Sequence, residues 1–276
     1  MKFRPVIIIP VHKTNLDDDE ALSLNHVITI LGHFPIYFVK PRTLRLNNYP
    51  NNNLKCINFD DQYFKSIDGY NKLLTSLKLF RAFKQFTHML IYQLDSLVFK
   101  DELLMWSKKN YDYIGSPWFK GYLPTENSKE IVGVGNGGFS LRSIKKSISI
   151  LQRLRLARLF DKIKRKLISV GFLKAQRKLS YIESVYFRLL KIKSDSCFIN
   201  KLINQETFNE DGFWSIWVAN TFRDYIVAPI DEATRFGFEV NPSTLYFLNN
   251  STLPFGCHAW RKYEYETFWI NHIKIQ

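Results

Sequence analysis

The sequence predicts an α/β protein whose central sheet is mainly parallel and is flanked by helices. Strand-like and helix-like segments alternate along the chain, as they do in βαβ units. The segment His88–Phe99, HMLIYQLDSLVF, contains an apolar run typical of an inner strand and carries a carboxylate, Asp95, near its end. Hydrophobic residues make up 46% of the 276 positions, enough for one sizeable core. We therefore expect a single domain over residues 1–276, with its functional loops along one edge of the sheet.

Periodicity and turn residues predict the elements in order. A strand at Val6–Val11 precedes a helix whose acidic first turn, Asp17–Glu20, suits the positive end of the helix dipole. Further along, the pattern predicts strands at 35–39 and 55–59, a helix at 70–86, a strand at 88–94, a helix near 101–108, a strand at 111–115 and a loop carrying Trp118.

A basic helical insertion is expected at about 144–192. Residues 152–178 contain ten Lys or Arg and a single acidic residue, Asp161. At ~100° per residue, an apolar side with Leu156, Leu159 and Ile163 lies opposite a basic side. One interpretation is docking of residues 153–167 on an anionic membrane surface, and the other is a solvated helix packed on its own domain. Nucleic acid is not expected, because the helix lacks interleaved aromatic residues.

The sequence also indicates where the protein is expected to act. No apolar run reaches the ~18 to 20 residues that a membrane-spanning helix needs. The first residues do not resemble a signal peptide, because Pro10 interrupts their apolar run. Cys56, Cys197 and Cys257 show no disulfide or zinc spacing. We expect a cytoplasmic protein, peripheral at the inner face of the cytoplasmic membrane if the basic helix docks there.

Five segments carry a family resemblance: QLD at 93–95, DYIGSPW at 112–118, GNGGFSLR at 135–142, EDGFW at 210–214 and PFGCH at 254–258. Their order resembles a GT-A-type glycosyltransferase. More closely, they are similar to a bacterial and fungal glycosyltransferase-like family with Q-T-D, G-N-G-G-x-S-L-R, E-D-x-x-F and P-F-G-x-H motifs. The resemblance covers about residues 5–262 apart from the basic helices, and it implies a GT-A-like, Rossmann-like sheet.

The resemblance implies a divalent cation, Mn²⁺ or Mg²⁺, that holds the diphosphate of a nucleotide-sugar. Asp95 matches the first carboxylate of the usual Asp-x-Asp pair, but the second position is Leu97, so metal dependence stays open. His258 matches a C-terminal histidine that completes the metal site in several such families. The alternatives are that His258 donates directly to a phosphate or that it is an ordinary loop histidine.

The resemblance also implies which residues bind the donor and the acceptor. The glycine run offers a backbone against which a sugar can lie closely, and an aromatic face can stack on a sugar ring. For Lys72, a solvated lysine at a helix end is favoured over contact with a phosphate. The expected donor-binding residues are Pro10, His12, Asn71, Lys72, Asp95, Ser96, Gly137 and Gly138. The expected acceptor-binding residues are Trp118, Asn136 and Trp260.

Glu210 and Asp211 are the expected catalytic residues. Asp211 matches the general base that takes the acceptor proton in similar inverting enzymes, and Glu210 orients it or binds an acceptor hydroxyl. The alternative is that both carboxylates only cap a helix. Arg142 and Arg261 are further cations that could stabilise the leaving diphosphate.

The sequence therefore predicts a glycosyltransferase that moves a sugar from a nucleotide diphosphate, with UDP favoured, to a hydroxyl of a glycan or glycolipid, with inversion. A retaining mechanism is the nearest alternative. From another class, Leu97 favours a catalytically inactive GT-A-like module that binds a glycan or a membrane. A sugar-phosphate-modifying or nucleotidyl enzyme is disfavoured, because no basic, glycine-rich loop lies near the N terminus.

Overall fold

The computed structural model describes residues 3–50, 53–121, 130–169, 176–193, 199 and 209–273, with backbone alone at 176–180. Its strands are Pro5–Pro10 (β1), Ile36–Pro41 (β2), Lys55–Phe59 (β3), His88–Tyr92 (β4), Ser96–Val98 (β5), Tyr113–Ile114 (β6), Pro117–Phe119 (β7), Ile131–Val134 (β8), Phe139–Ser143 (β9), Gly237–Phe238 (β10) and Gly256–His258 (β11). Its helices are Asp18–Leu31 (α1), Ile67–Leu74 (α2), Leu77–Ala82 (α3), Leu103–Lys108 (α4), Ile144–Ser169 (α5), Gln176–Leu189 (α6), residues 210–221 (α7), Ile230–Phe236 (α8) and Pro242–Leu248 (α9). α7 has three consecutive parts: Glu210–Gly212, the π-helical Phe213–Val218, and Ala219–Thr221.

The central sheet has the strand order β3-β2-β1-β4-β9-β6. β1 pairs in parallel with β2 and with β4, and β2 pairs in parallel with β3. β9 runs antiparallel to both of its neighbours, β4 and β6. The prediction of a mainly parallel sheet flanked by helices is confirmed. The strand order reverses at β1 and β4, and a crevice at such a point, outside the carboxyl ends of the strands, is where open α/β sheets bind ligands.

β1 and residues 89–92 of β4 are apolar because the side chains of each strand pack into two cores. Side chains alternate along a strand, so successive residues of β1 point to opposite faces. Val6 and Ile8 pack with α2, α3 and α5, whereas Ile7 and Ile9 pack with α1 and α4. Burial on both faces is typical of parallel strands covered by helices, which explains why β1 and β4 show no polar alternation.

Several elements differ from the sequence prediction. α1 begins where expected, because Asp17 and Glu20 form a reciprocal capping box. The helix predicted at 70–86 is two helices, α2 and α3, because Ser76 starts a new helix and its Oγ accepts a hydrogen bond from the amide of Leu79. The loop predicted around Trp118 is a strand, β7, which pairs with β8.

The basic insertion is a pair of helices, α5 and α6, although its segment 170–175 lies outside the described residues. α5 buries Ile150, Leu154 and Ala157. Leu156, Leu159 and Ile163, which the sequence analysis placed on the apolar side of the helix, are exposed. Of the helices that the structure describes, none is long and apolar enough to cross a membrane. Cys56 is exposed, Cys257 is buried, and Cys197 is outside the described residues. That residues 1–276 form one domain stays a prediction.

Candidate active site

A cavity of about 730 Å³ lies at the carboxyl ends of β1 and β4. Its floor is formed by the residues that follow these two strands, and its walls by the start of α1 and the start of α2. This volume is within the usual range for small-molecule sites. The lining residues used below are Pro10, His12, Asp19, Tyr70, Gln93, Asp95, Trp260 and Arg261.

Strand pairing places His258 beside Asp95 at the edge of this cavity. β11 pairs antiparallel with β5, and His258 lies opposite Ser96. The imidazole of His258 therefore reaches the carboxylate of Asp95, the residue that precedes β5. His258 Nε2 lies 3.1 Å from Asp95 Oδ1 and 3.2 Å from Gln93 Oε1. Asp95 keeps 54% of its side chain exposed, and His258 keeps 14%. The residues that follow β4 and the histidine at the end of β11 therefore meet at one point.

Glu239 holds the other nitrogen of this imidazole. β10 runs parallel to β11 with Phe238 opposite Cys257, so the next residue, Glu239, lies beside His258. Glu239 Oε1 is 2.9 Å from His258 Nδ1. Burial disfavours the charged imidazolium, but the carboxylates of Asp95 and Glu239 raise the pKa of His258 well above its ordinary value. The sequence analysis missed Glu239, because a glutamate after a two-residue strand has no local signature.

The glycine run packs directly against these groups. A Cβ on Gly138 would lie 2.0 Å from His258 Nε2, and one on Gly137 would lie 1.7 Å from Glu210 Oε1. Any larger residue would displace one of the two side chains. Gly138 is held in place because its carbonyl accepts a hydrogen bond from the amide of Gln93, at 2.8 Å. The loop therefore connects the histidine on one side to the acidic pair on the other.

Glu210 forms a buried ion pair with Arg142. The two side chains are 6% and 0% exposed, and Arg142 Nη2 lies 2.5 Å from Glu210 Oε2. Burial and the neighbouring charge of Asp211 outweigh the opposing effect of Arg142 and raise the pKa of Glu210 to about 7. The guanidinium also lies 5.2 Å from the centre of the Tyr113 ring. Neither Glu210 nor Arg142 lines the cavity. That Glu210 binds an acceptor hydroxyl or orients Asp211, and that Arg142 stabilises the diphosphate, stay predictions.

Asp211 lies in the first turn of α7, as the sequence predicted, and is 9% exposed. Its Oδ1 accepts a hydrogen bond from the amide of Gly212, at 2.8 Å. The Trp118 ring approaches the same turn and covers Gly135, whose Cβ would lie 1.8 Å from the ring. Asp211, Trp118 and the glycine run therefore share one neighbourhood.

The remaining predicted donor residues divide into two groups. Pro10 and His12 line the cavity. Asn71 lies outside it and stabilises α7, since its Oδ1 accepts from the amide of Glu210 at 3.2 Å. Lys72 Nζ pairs with Asp68 Oδ2 at 2.6 Å, as an exposed lysine at a helix end does.

Ser96, Asn136 and Trp260 are buried. Ser96 is fully buried, and its carbonyl accepts hydrogen bonds from the hydroxyls of Ser23 and Tyr92. The Asn136 side chain shapes the glycine run, because its Oδ1 accepts from the amide of Gly138 at 3.0 Å. Trp260 belongs to the cavity wall but is fully buried. That Asn136 and Trp260 bind an acceptor stays a prediction.

Arg261 and Asp19 close one side of the cavity. The Arg261 guanidinium donates to both carboxylate oxygens of Asp19, at 2.7 and 2.8 Å, and lies 4.0 Å from the centre of the Tyr265 ring. Tyr70, another lining residue, accepts a hydrogen bond from Gln93 Nε2 at 2.9 Å. Asp19 was not predicted, because a residue in a helix-forming segment reveals a cavity only once the helix is placed.

Asp95 and His258 offer two ligands to a cation, and further ligands would have to come from outside this pair. Within the described residues, no group of three or more His, Cys, Asp or Glu side chains could hold a metal ion. Leu97, at the usual second carboxylate position, is fully buried in β5. Asp95 and His258 still converge, and Glu239 binds the far nitrogen of His258, an arrangement common among metal-binding histidines.

Fold and site together define an α/β protein with a ligand cavity at the carboxyl edge of its sheet. The chain belongs to the family described as "Protein of unknown function (DUF5672)", whose model matches residues 53–258. The match includes Asp95, the glycine run, the acidic pair, Glu239 and His258. It ends before Arg261.

Similar solved structures include glycosyltransferases, and no curated protein matches the sequence. The galactosyltransferase LgtC, in complex with donor and acceptor sugar analogs, is 13% identical, with 92% of this chain and 86% of that chain covered and a TM-score of 0.46. Mouse xyloside xylosyltransferase 1 is 10% identical, with coverages of 93% and 97% and a TM-score of 0.49. A glycosyltransferase involved in glycosylation of the major capsid of PBCV-1 is 10% identical, with coverages of 98% and 100% and a TM-score of 0.39.

Proposed function

We propose that the protein is a glycosyltransferase that moves a sugar from a nucleotide diphosphate to a hydroxyl of a glycan or glycolipid. The observation that carries the proposal is the meeting of Asp95 and His258 at the cavity edge. Gly138 packs against His258 of that pair, and its neighbour Gly137 packs against Glu210 of the acidic pair. A donor bound at Asp95 would thus have its sugar near the glycine run. A UDP-sugar is the favoured donor, and a cytoplasmic location stays a prediction.

In this proposal, Pro10 and His12 contact the nucleoside, and Asp95 and His258 hold the diphosphate. Mn²⁺ or Mg²⁺ bound by Asp95 Oδ1 and His258 Nε2 would neutralise the charge of the leaving diphosphate. Mn²⁺ accepts both oxygen and imidazole ligands, so this pair suits it. In the absence of a cation, a protonated His258 would donate to a phosphate oxygen instead.

Asp211 is the proposed general base. The acceptor oxygen forms a bond to the anomeric carbon, and the bond from that carbon to the diphosphate oxygen breaks with its electron pair going to the diphosphate. The acceptor proton passes to the Asp211 carboxylate. Glu210 is less suited to this role, because Arg142 occupies its carboxylate. Attack opposite the leaving group inverts the anomeric configuration, and NMR of the product would distinguish this from retention.

The variant Asp211→Asn tests the base. We expect transfer to fall at least ~100-fold while donor affinity is unchanged, because only proton removal is lost. Isothermal titration with donor and a transfer assay measure the two quantities, with the exposed Asp231→Asn as the control. An equal loss of donor affinity would exclude Asp211 as a base.

The variant Asp95→Ala tests the donor site. We expect it to weaken nucleotide-sugar binding in the presence of Mn²⁺. If calorimetry finds that the unmodified protein binds the nucleotide-sugar with the same affinity with and without Mn²⁺, Asp95 is not a metal ligand.

A second candidate is a catalytically inactive module, which is favoured by Leu97 in place of the second carboxylate. Such a module would bind a glycan or a nucleotide-sugar without turning it over. Transfer or hydrolysis of any member of a panel of UDP-, GDP-, CMP- and dTDP-sugars would exclude this candidate.

A further inference from the structure

α5 and α6 form an antiparallel pair of helices outside the candidate active site. The ring of Phe160 stacks on that of Tyr186 with centroids 4.5 Å apart. One turn further along α5, Lys164 Nζ lies 2.5 Å from Glu183 Oε2. Positions rise along α5 as their partners fall along α6, so these contacts define an antiparallel seam between the helices.

The buried residues of the two helices lie on the same side of the helix pair, the side that faces the core. On α5 the buried residues are Leu154 and Ala157, and on α6 they are Phe187 and Leu190. All four belong to the core cluster that also packs on the central sheet. The side of the helix pair that faces away from this core is therefore at the surface.

That outward side is apolar. Leu156, Leu159 and Ile163 have the i, i+3, i+7 spacing of one helix face, and so do Ile182, Val185 and Leu189. Because the helices run antiparallel and bury the same side, the two stripes lie next to each other on the opposite side. We call this surface the outward face, and its residues are 39% to 75% exposed: Leu156, Leu159, Ile163, Ile182, Val185 and Leu189.

Cations border the outward face on both helices. Arg155, Lys162 and Lys166 form a row beside the α5 stripe, and Arg188 lies beside the α6 stripe; all four are exposed. None of the four has an ion-pair partner among the residues that the structure describes. The carboxylates of the described parts of these helices lie elsewhere: Asp161 pairs with Arg165, and Glu183 is in the seam.

We propose that the outward face docks on an anionic lipid surface. The outward face has an apolar centre and a cationic border, and none of its described residues is a carboxylate. Such a face is complementary to acyl chains beneath negatively charged headgroups. A polyanion such as nucleic acid would match the cations but would leave the six apolar side chains without a partner. This inference does not depend on the transferase proposal, since no residue of the outward face lines the cavity.

Cosedimentation of the full chain with vesicles tests the proposal. We expect retention on vesicles of phosphatidylcholine with phosphatidylglycerol at low salt, weaker retention at high salt, and little retention on phosphatidylcholine alone. No retention on the anionic vesicles would overturn it. Each cation near an anionic leaflet strengthens binding about fivefold, so Lys162→Glu/Lys166→Glu should weaken binding about 25-fold or more.

The apolar stripe needs its own variant and controls. Leu159→Gln/Ile163→Gln should weaken vesicle binding about tenfold or more, because two apolar side chains no longer insert. Phe247→Gln/Leu248→Gln, which removes exposed apolar side chains elsewhere, and Lys84→Glu/Lys108→Glu, which changes the charge equally, should bind as the unmodified protein does. Circular dichroism and thermal unfolding would show that all variants are folded.

Two results would assign the outward face to another partner and overturn the proposal. If only the charge variant loses binding, and RNA or heparin binds as well as the vesicles do, the surface is a general polyanion site. If sedimentation shows a dimer that Leu159→Gln/Ile163→Gln dissociates, and vesicles do not bind, the face is an interface between two copies of the chain.

Discussion

Glu239 acts on the candidate site through His258 rather than by lining the cavity. Its carboxylate fixes the Nδ1 side of the imidazole at 2.9 Å, which leaves Nε2 directed at Asp95. A carboxylate in this position orients the ring and increases the basicity of the nitrogen that faces a ligand. Glu239 is therefore a positioning residue in the proposed mechanism.

Replacing Glu239 by Gln should weaken binding of UDP in the presence of Mn²⁺ by ~10- to 100-fold, because the imidazole loses its charged partner. Calorimetry measures the affinity, and Glu232→Gln, which changes a carboxylate paired with Lys109 away from the cavity, is the control. Affinity unchanged in Glu239→Gln would show that Glu239 has no positioning role.

His88 should make the free energy of unfolding depend on pH. Burial lowers the pKa of His88 to about 4, whereas the unfolded chain takes up the proton near 6.5. The contribution of neutral His88 to the free energy of unfolding is therefore fully present above about pH 6.5. It is lost as the pH falls toward 4, by up to roughly 3 kcal/mol. Urea unfolding of the unmodified protein and His88→Gln at pH 7 and pH 4.5 should show a smaller loss in the variant; equal losses would contradict the assignment.

At the scale of elements, the loop between β8 and β9 determines whether the site can assemble. Trp118, Glu210 and His258 come from three other elements and press against Gly135, Gly137 and Gly138. A Cβ at these glycines would overlap atoms that hold the site together.

Gly138→Ala should displace His258 and weaken donor binding at least tenfold, because the new Cβ would lie 2.0 Å from Nε2. Gly133→Ala, in β8, is a matched control, since the nearest atom to its new Cβ would be at an ordinary 3.9 Å. The measurement is calorimetric affinity for UDP with Mn²⁺, and indistinguishable affinities of the two variants would refute the steric argument.

At the scale of the whole molecule, Asp224 connects the basic helices to the rest of the fold. Its carboxylate lies 2.8 Å from Arg153, 3.4 Å from Lys146 and 3.5 Å from Lys191. Arg153 also donates to the carbonyl of Leu190 at 3.0 Å, so the network joins α5 to the segment that follows α6. Partly buried networks of this kind contribute more than isolated surface pairs.

Asp224→Asn should lower the free energy of unfolding by about 1–2 kcal/mol, because three cations lose their shared partner. Glu130→Gln, which breaks the exposed pair with Lys120, should change it by less than about 0.5 kcal/mol. Urea denaturation measures both, and equal effects would place Asp224 among ordinary surface charges.

Local patterns predicted much of this architecture and part of the site. β3 has the predicted bounds, and α1 begins at the predicted acidic turn, because short-range capping and side-chain alternation act within a few residues. Glu239 and the pairing of Glu210 with Arg142 could not be predicted, because each depends on which strands pair and in what register. The burial of Asn136 and Trp260 is likewise not visible in a motif.

The sequence by itself determined the alternation of strands and helices, the polar residues that end the inner strands, and the clustering of cations at 153–166. These are properties of neighbouring residues, since periodicity and charge are set along the chain. Only the tertiary structure decided that β5, β10 and β11 bring Asp95, Glu239 and His258 together, and that α5 buries Leu154 while leaving Leu156 exposed. Both outcomes depend on packing between segments far apart in sequence, where contact geometry rather than local pattern determines which side chains meet.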